Sequence, residues 1–118
     1  MALTFTRDDA NSPSAKSIRA TMPGNRVEWV GTVQFDASYP TAGELVGLAD
    51  LDEEVDAKSG SLDSIVESMS SDGLNKLQLT VATGKLKVYV AATSAEVADT
   101  TDLSGAGGLF PFHAFMSY

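Results

Sequence analysis

Hydrophobic and polar residues alternate along several stretches of this chain, which is the pattern of half-buried β-strands. The clearest stretch is residues 76–91, "KLQLTVATGKLKVYVA". Leu77, Leu79 and Val81 alternate with Lys76, Gln78 and Thr80, and Leu86, Val88 and Val90 alternate with Lys85, Lys87 and Tyr89. With Thr83-Gly84 at the centre of a two-residue turn, Val81 faces Leu86, Leu79 faces Val88 and Leu77 faces Val90. This predicts a β-hairpin with all its apolar side chains on one face.

Residues 26–35 repeat the pattern. Val27, Trp29, Val33 and Phe35 share one face, and Gly31 interrupts it, as a bulge or a close backbone approach would. Asp36, Ser38, Pro40 and Gly43 then supply turn chemistry. In residues 45–57, Leu45, Leu48, Leu51 and Val55 recur at helical spacing, which predicts a turn or single helical turn near 47–51 leading into an acidic strand or loop. Residues 61–70 admit two periods: Leu62, Ser64, Val66 and Ser68 fit a strand, whereas Leu62, Ile65, Val66 and Met69 fit a helix. The β-type surroundings favour the strand. Residues 92–108 read as loop, with a short strand around 96–98.

The closing segment "LFPFHAFMSY" carries Phe110, Phe112, Ala114, Met116 and Tyr118 on one face and Leu109, Pro111, His113, Phe115 and Ser117 on the other. Aromatics on both faces predict burial on both sides, by a sandwich core or a neighbouring subunit. Pro111 predicts an edge or a bulge. Near the start, "LTFT" at 3–6 can add a short edge strand. Residues 7–25 are polar, hold Pro13 and Pro23 and show no period, so residues 1–25 read as an N-terminal arm before a single domain over 26–118. About seven or eight short strands separated by turns predict an all-β fold, an antiparallel β-sandwich of jelly-roll-like form.

Composition narrows the function. The chain has 118 residues and a net charge of -8, which repels phosphate backbones and anionic bilayers and argues against nucleic acid and membrane as partners. No run approaches the roughly 18 apolar residues of a membrane span, and the opening residues lack the apolar core of a signal peptide. With no cysteine, disulfides, thiolate catalysis and Cys-ligated zinc are excluded. These features place the protein inside a cell or in a particle assembled there.

Candidate chemistry is sparse. Asp50, Asp52, Glu53, Glu54 and Asp56 offer oxygen ligands for Ca²⁺ but lack the glycine and terminal glutamate of an EF-hand loop, so they read as a solvated acidic loop. His113, the single histidine, reads as a structural residue of an alternating strand rather than a general base. "SGAGG" at 104–108 has no following lysine and reads as a turn. Lys76, Lys85 and Lys87 gather on the outer face of the hairpin, for solubility and edge protection or for docking to an acidic surface. No catalytic residue, metal site or cofactor is assigned, and the chain reads as a packing and contact protein, not an enzyme.

The segments "GNRVEWVGTVQFDASYPTAGELVGLADL" and "TGKLKVYVAATSAEVADTTDLSG" resemble a pattern of small virion proteins of tailed bacteriophages, often capsid decoration (cement) proteins. "SYPTAGE" and "GKLKVY" are its most specific parts, and the resemblance covers roughly residues 24–118. "DEEVDAKSGSLDSIVESMS" and residues 1–23 depart from it. The resemblance implies a β-rich protein on the outside of an icosahedral head, assembled in the host cytoplasm, with the major capsid protein and its own copies as partners, a trimer before a dimer. Phe5, Arg7, Ile18, Arg19 and Met22 are the expected capsid contacts of the arm. Trp29, Phe110, Phe112, Phe115 and Tyr118 are the expected subunit interface. Rival readings are a head-fibre base or tail component, and a carbohydrate-binding β-sandwich built on Trp29 and the acidic loop.

Overall fold

The computed structural model describes residues 3–7 and 26–118. Among these described residues, eight strands form two antiparallel four-stranded sheets packed as a β-sandwich. The strands are β1 (Thr4–Arg7), β2 (Arg26–Gln34), β3 (Glu44–Leu45), β4 (Ser61–Ile65), β5 (Ser68–Met69), β6 (Asn75–Thr80), β7 (Lys85–Val90) and β8 (Leu109–Ser117). The first sheet has the order β1-β2-β8-β4 and the second β3-β7-β6-β5. Two helical turns, α1 (Leu48–Leu51) and α2 (Glu53–Ala57), link β3 to β4.

β2 and β8 form the centre of the first sheet, paired in unbroken register from Arg26↔Ser117 to Gln34↔Leu109. Their inward residues Val27, Trp29, Val33, Phe110, Phe112, Ala114 and Met116 are all buried. Leu77, Leu86 and Val88 meet them from the second sheet, so the alternation read in the sequence becomes the two walls of one core. The unbroken register shows no bulge at Gly31. Instead the backbone of β1 lies against it: a Cβ there would stand 2.1 Å from the Thr6 carbonyl oxygen and 2.8 Å from Cη2 of Trp29. This close approach lets residues 4–7 pair with Gln34–Gly31 and seats Phe5 on the core.

Pro111 lies inside a strand that has neighbours on both sides, yet it breaks no ladder. Its carbonyl accepts from the Ser68 hydroxyl at 2.7 Å, so its nitrogen points to the same side, beyond the end of β4, whose pairing stops at Ala114. Here β8 is a local edge. Its outer face is only part-covered: Leu109, His113, Phe115 and Ser117 are half-buried and Pro111 is exposed. Within one chain, the sandwich core therefore buries the inner face alone.

Three local expectations are corrected. First, the hairpin pairs Leu77 with Val88, Leu79 with Leu86 and Thr80 with Lys85, two residues away from the predicted register. The Thr80 carbonyl accepts from the Thr83 and Gly84 amides, with Gly84 at φ +68, so the connection is four residues long and Val81 sits exposed in it. Second, residues 61–65 form a strand, but its register shifts between Leu62 and Ser64. The extra residue turns Leu62 and Ile65 to the same side, where both pack on the core. Third, residues 53–57 are a helical turn, because Asp52 caps it: its Oδ1 accepts from the Val55 amide at 3.2 Å.

Candidate functional site

The segments "SYPTAGE" and "GKLKVY" meet in three dimensions. Tyr39 is fully buried although it lies in a turn. Its hydroxyl donates to Oε2 of Glu96 at 2.6 Å and accepts from the Val88 amide of β7 at 3.1 Å. The same Glu96 oxygen accepts from the Ala42 amide at 2.8 Å, and Oδ1 of Asp99 accepts from the Thr41 amide at 3.1 Å. The turn can close this tightly because Gly43 is at φ +93, and a Cβ there would stand 2.2 Å from the Leu86 carbonyl oxygen. Burial, reinforced by the Glu96 hydrogen bond, pushes the Tyr39 phenol well above its ordinary range, so it stays a donor. The sequence marks this segment as a turn; no periodicity signals that its tyrosine is core.

Beside this lock, Glu44 points inward from β3 and is only 5% exposed. Its Oε2 and Oδ2 of Asp36 are both buried without a hydrogen-bond partner. Burial first, then the Asp36 charge, push the Glu44 carboxyl above its ordinary value.

The expected subunit-interface residues divide by face. Trp29, Phe110 and Phe112 are 3%, 0% and 1% exposed. They pack within this chain, Trp29 against Phe112 with centroids 5.7 Å apart and Phe110 against Phe35 at 5.8 Å. Being spent on the chain's own core, they leave no surface for a subunit contact, and Trp29 has no free face on which a sugar could stack. Phe115 and Tyr118 remain half-buried. Phe115 lies against the His113 ring, centroids 4.8 Å apart, and Nε2 of His113 meets Oε2 of Glu28. This pair holds the ring on the outer face of the first sheet.

Of the expected arm contacts, Phe5 and Arg7 belong to β1 and turn toward the chain's own fold. Phe5 packs edge-on against Trp29 at 5.9 Å, and Nη2 of Arg7 donates to the Leu51 carbonyl at 3.5 Å. Ile18, Arg19 and Met22 lie outside the described residues. In the acidic segment, buried Asp52 is turned inward as a helix cap, while Asp50, Glu53 and Asp56 are exposed. Among the described residues no three His, Asp or Glu side chains converge to hold a metal.

Clefts at the sandwich margin are small. One of about 230 Å³ is lined by Ile65, Leu79, Val81, Ser64, Glu67 and Gln78, and it is smaller than the ~300–1,000 Å³ usual for ligand pockets. Among the described residues no helix is long and apolar enough to cross a membrane. The broad surfaces left are the outer faces of the two sheets and the acidic helical turns. Comparison with family models, with curated proteins and with solved structures finds no match to this chain.

Proposed function

We propose that this chain is a capsid decoration (cement) protein of a tailed bacteriophage, bound to the outside of the major capsid protein shell and associating with its own copies, as a trimer before a dimer. The observation that carries the reading is the union of the two segments on which the resemblance rests. Tyr39 of "SYPTAGE" bonds the β7 backbone of "GKLKVY", and Glu44 pairs with Leu86. The two segments thus pack as one structural unit. The nested pairing of β2 with β8 and β3 with β7 supports a jelly-roll-like arrangement, from which the β6–β7 hairpin within one sheet departs. A protein of this kind stabilises the loaded shell by mass action and by many modest contacts repeated over the lattice.

The proposed capsid contact is the polar arm, now centred on Ile18, Arg19 and Met22. Because residues 4–7 belong to the sheet, the test keeps them. The variant Ile18→Ser/Arg19→Glu/Met22→Ser should fold normally by circular dichroism and no longer co-sediment with heads stripped of the protein. A triple variant that decorates heads with full affinity refutes the arm contact. A parent protein that never co-sediments with heads refutes decoration itself.

A further inference from the structure

We infer that the outward face of the β6–β7 hairpin is a self-docking surface that receives the acidic helical turns of a second copy of this chain. The placement of the lysines follows from the core. Leu77, Leu86 and Val88 are buried, so alternation turns Lys76, Lys85 and Lys87 to the opposite face. The register sets Lys76 beside Tyr89, Lys87 beside Gln78 and Lys85 beside Thr80. One sheet face thus concentrates three lysines in a chain whose Lys and Arg number 8 against 16 acids.

Edge protection does not explain them, because β6 and β7 are the two central strands of their sheet. Solubility does not explain them either, since at -8 each lysine lowers the magnitude of the net charge. None forms an ion pair among the described residues; Nζ of Lys76 donates to the Ser94 hydroxyl at 3.3 Å. Apolar residues flank the patch. Leu45, next to Lys85, is 65% exposed, and Met69, next to Lys76, is 46% exposed.

The complement lies on the same chain. Leu51, Asp52 and Val55 turn inward, which leaves Asp50, Glu53 and Asp56 exposed on α1 and α2. The hairpin lysines do not pair with these carboxylates within one molecule, so both surfaces are open to a neighbour. Because the two surfaces differ, the contact is head-to-tail. Each copy gives its lysine face to one neighbour and its acidic turns to another, and the array closes into a ring or runs on as a chain. Opposite charges steer the encounter and fix its register, and salt weakens it. This deepens the self-association part of the function proposed above, and its test needs no capsid, so either can fail alone.

The experiment is sedimentation velocity of the full chain at roughly 20 and 500 mM NaCl, between which the Debye length drops from ~20 to ~4 Å. The protein should associate at low salt and dissociate at high salt. Lys85→Glu/Lys87→Glu and Asp50→Lys/Glu53→Lys should each be folded monomers at low salt. Mixed together, the two variants should associate, because each supplies the charge its partner now needs. A parent protein monomeric at low salt, an association unmoved by salt, or a lysine-reversed variant that still associates overturns the inference. So does failure of the mixed variants to associate.

Discussion

Replacing Tyr39 with Phe removes one oxygen and keeps the buried ring. That oxygen donates to Glu96 and accepts from the Val88 amide. Glu96 keeps the Ala42 amide at 2.8 Å and is half-exposed, so water replaces part of its loss. Val88 is 0% exposed, and no water reaches its amide. Losing a hydrogen bond to a charged group costs about 1.5–3 kcal/mol, and stranding a buried donor costs about 1–3 kcal/mol. Since the groups share one network and water restores part of it, we expect about 2–4 kcal/mol in total. Urea denaturation followed by Trp29, the single tryptophan, reads this directly. With a slope of about 2 kcal/mol/M the midpoint should fall by ~1–2 M at unchanged slope.

The pH dependence gives a second, independent reading. The folded phenol has a raised pKa, so its contribution is fully present below the ordinary value of 10.0 and is lost as pH climbs above it. The parent protein should weaken in that alkaline range more than Tyr39→Phe. A stability loss below about 0.5 kcal/mol, the level of an ordinary surface substitution, together with matching alkaline profiles, would refute the lock.

Further outcomes follow from the same structure. Glu44 has a raised folded pKa, so its contribution is present below the ordinary 4.5 and is lost as pH rises from there; Glu44→Gln should be more stable than the parent at pH 7, and the gap should close at acid pH in thermal melts. Gly31→Ala forces a Cβ to 2.1 Å from the Thr6 carbonyl oxygen and should cost about 1–3 kcal/mol by overpacking, with faster amide exchange confined to β1 and its partner strand. Phe110→Ala opens a cavity at a fully buried ring and should cost about 3–5 kcal/mol in denaturant unfolding.

The faces of the strands were legible in the sequence because a two-residue period survives any shift by an even number. The hairpin shows both the strength and the limit of that rule. Its register moved by two, every apolar residue of the strands kept its side, and only Val81 left the pairing for the turn. What decided the register was the helical closure of residues 80–84, which alternation does not encode. At residues 61–65 a bulge places Leu62 and Ile65 on one side, and a bulged strand then carries the spacing of a helix. Trp29, Phe110 and Phe112 were readable as buried, but pattern alone does not distinguish a chain's own core from a subunit contact. The buried Tyr39 and Glu44 were not legible, since each is placed by partners more than 40 residues away in sequence.

Decoration of a phage head by this sandwich, as proposed, is decided by cryo-electron microscopy of virions stripped of the protein and re-incubated with it. Regular added density at fixed lattice positions on the outer shell, with the oligomer visible at each position, is the expected result. Density confined to the tail or portal vertex, or none at all, would contradict it.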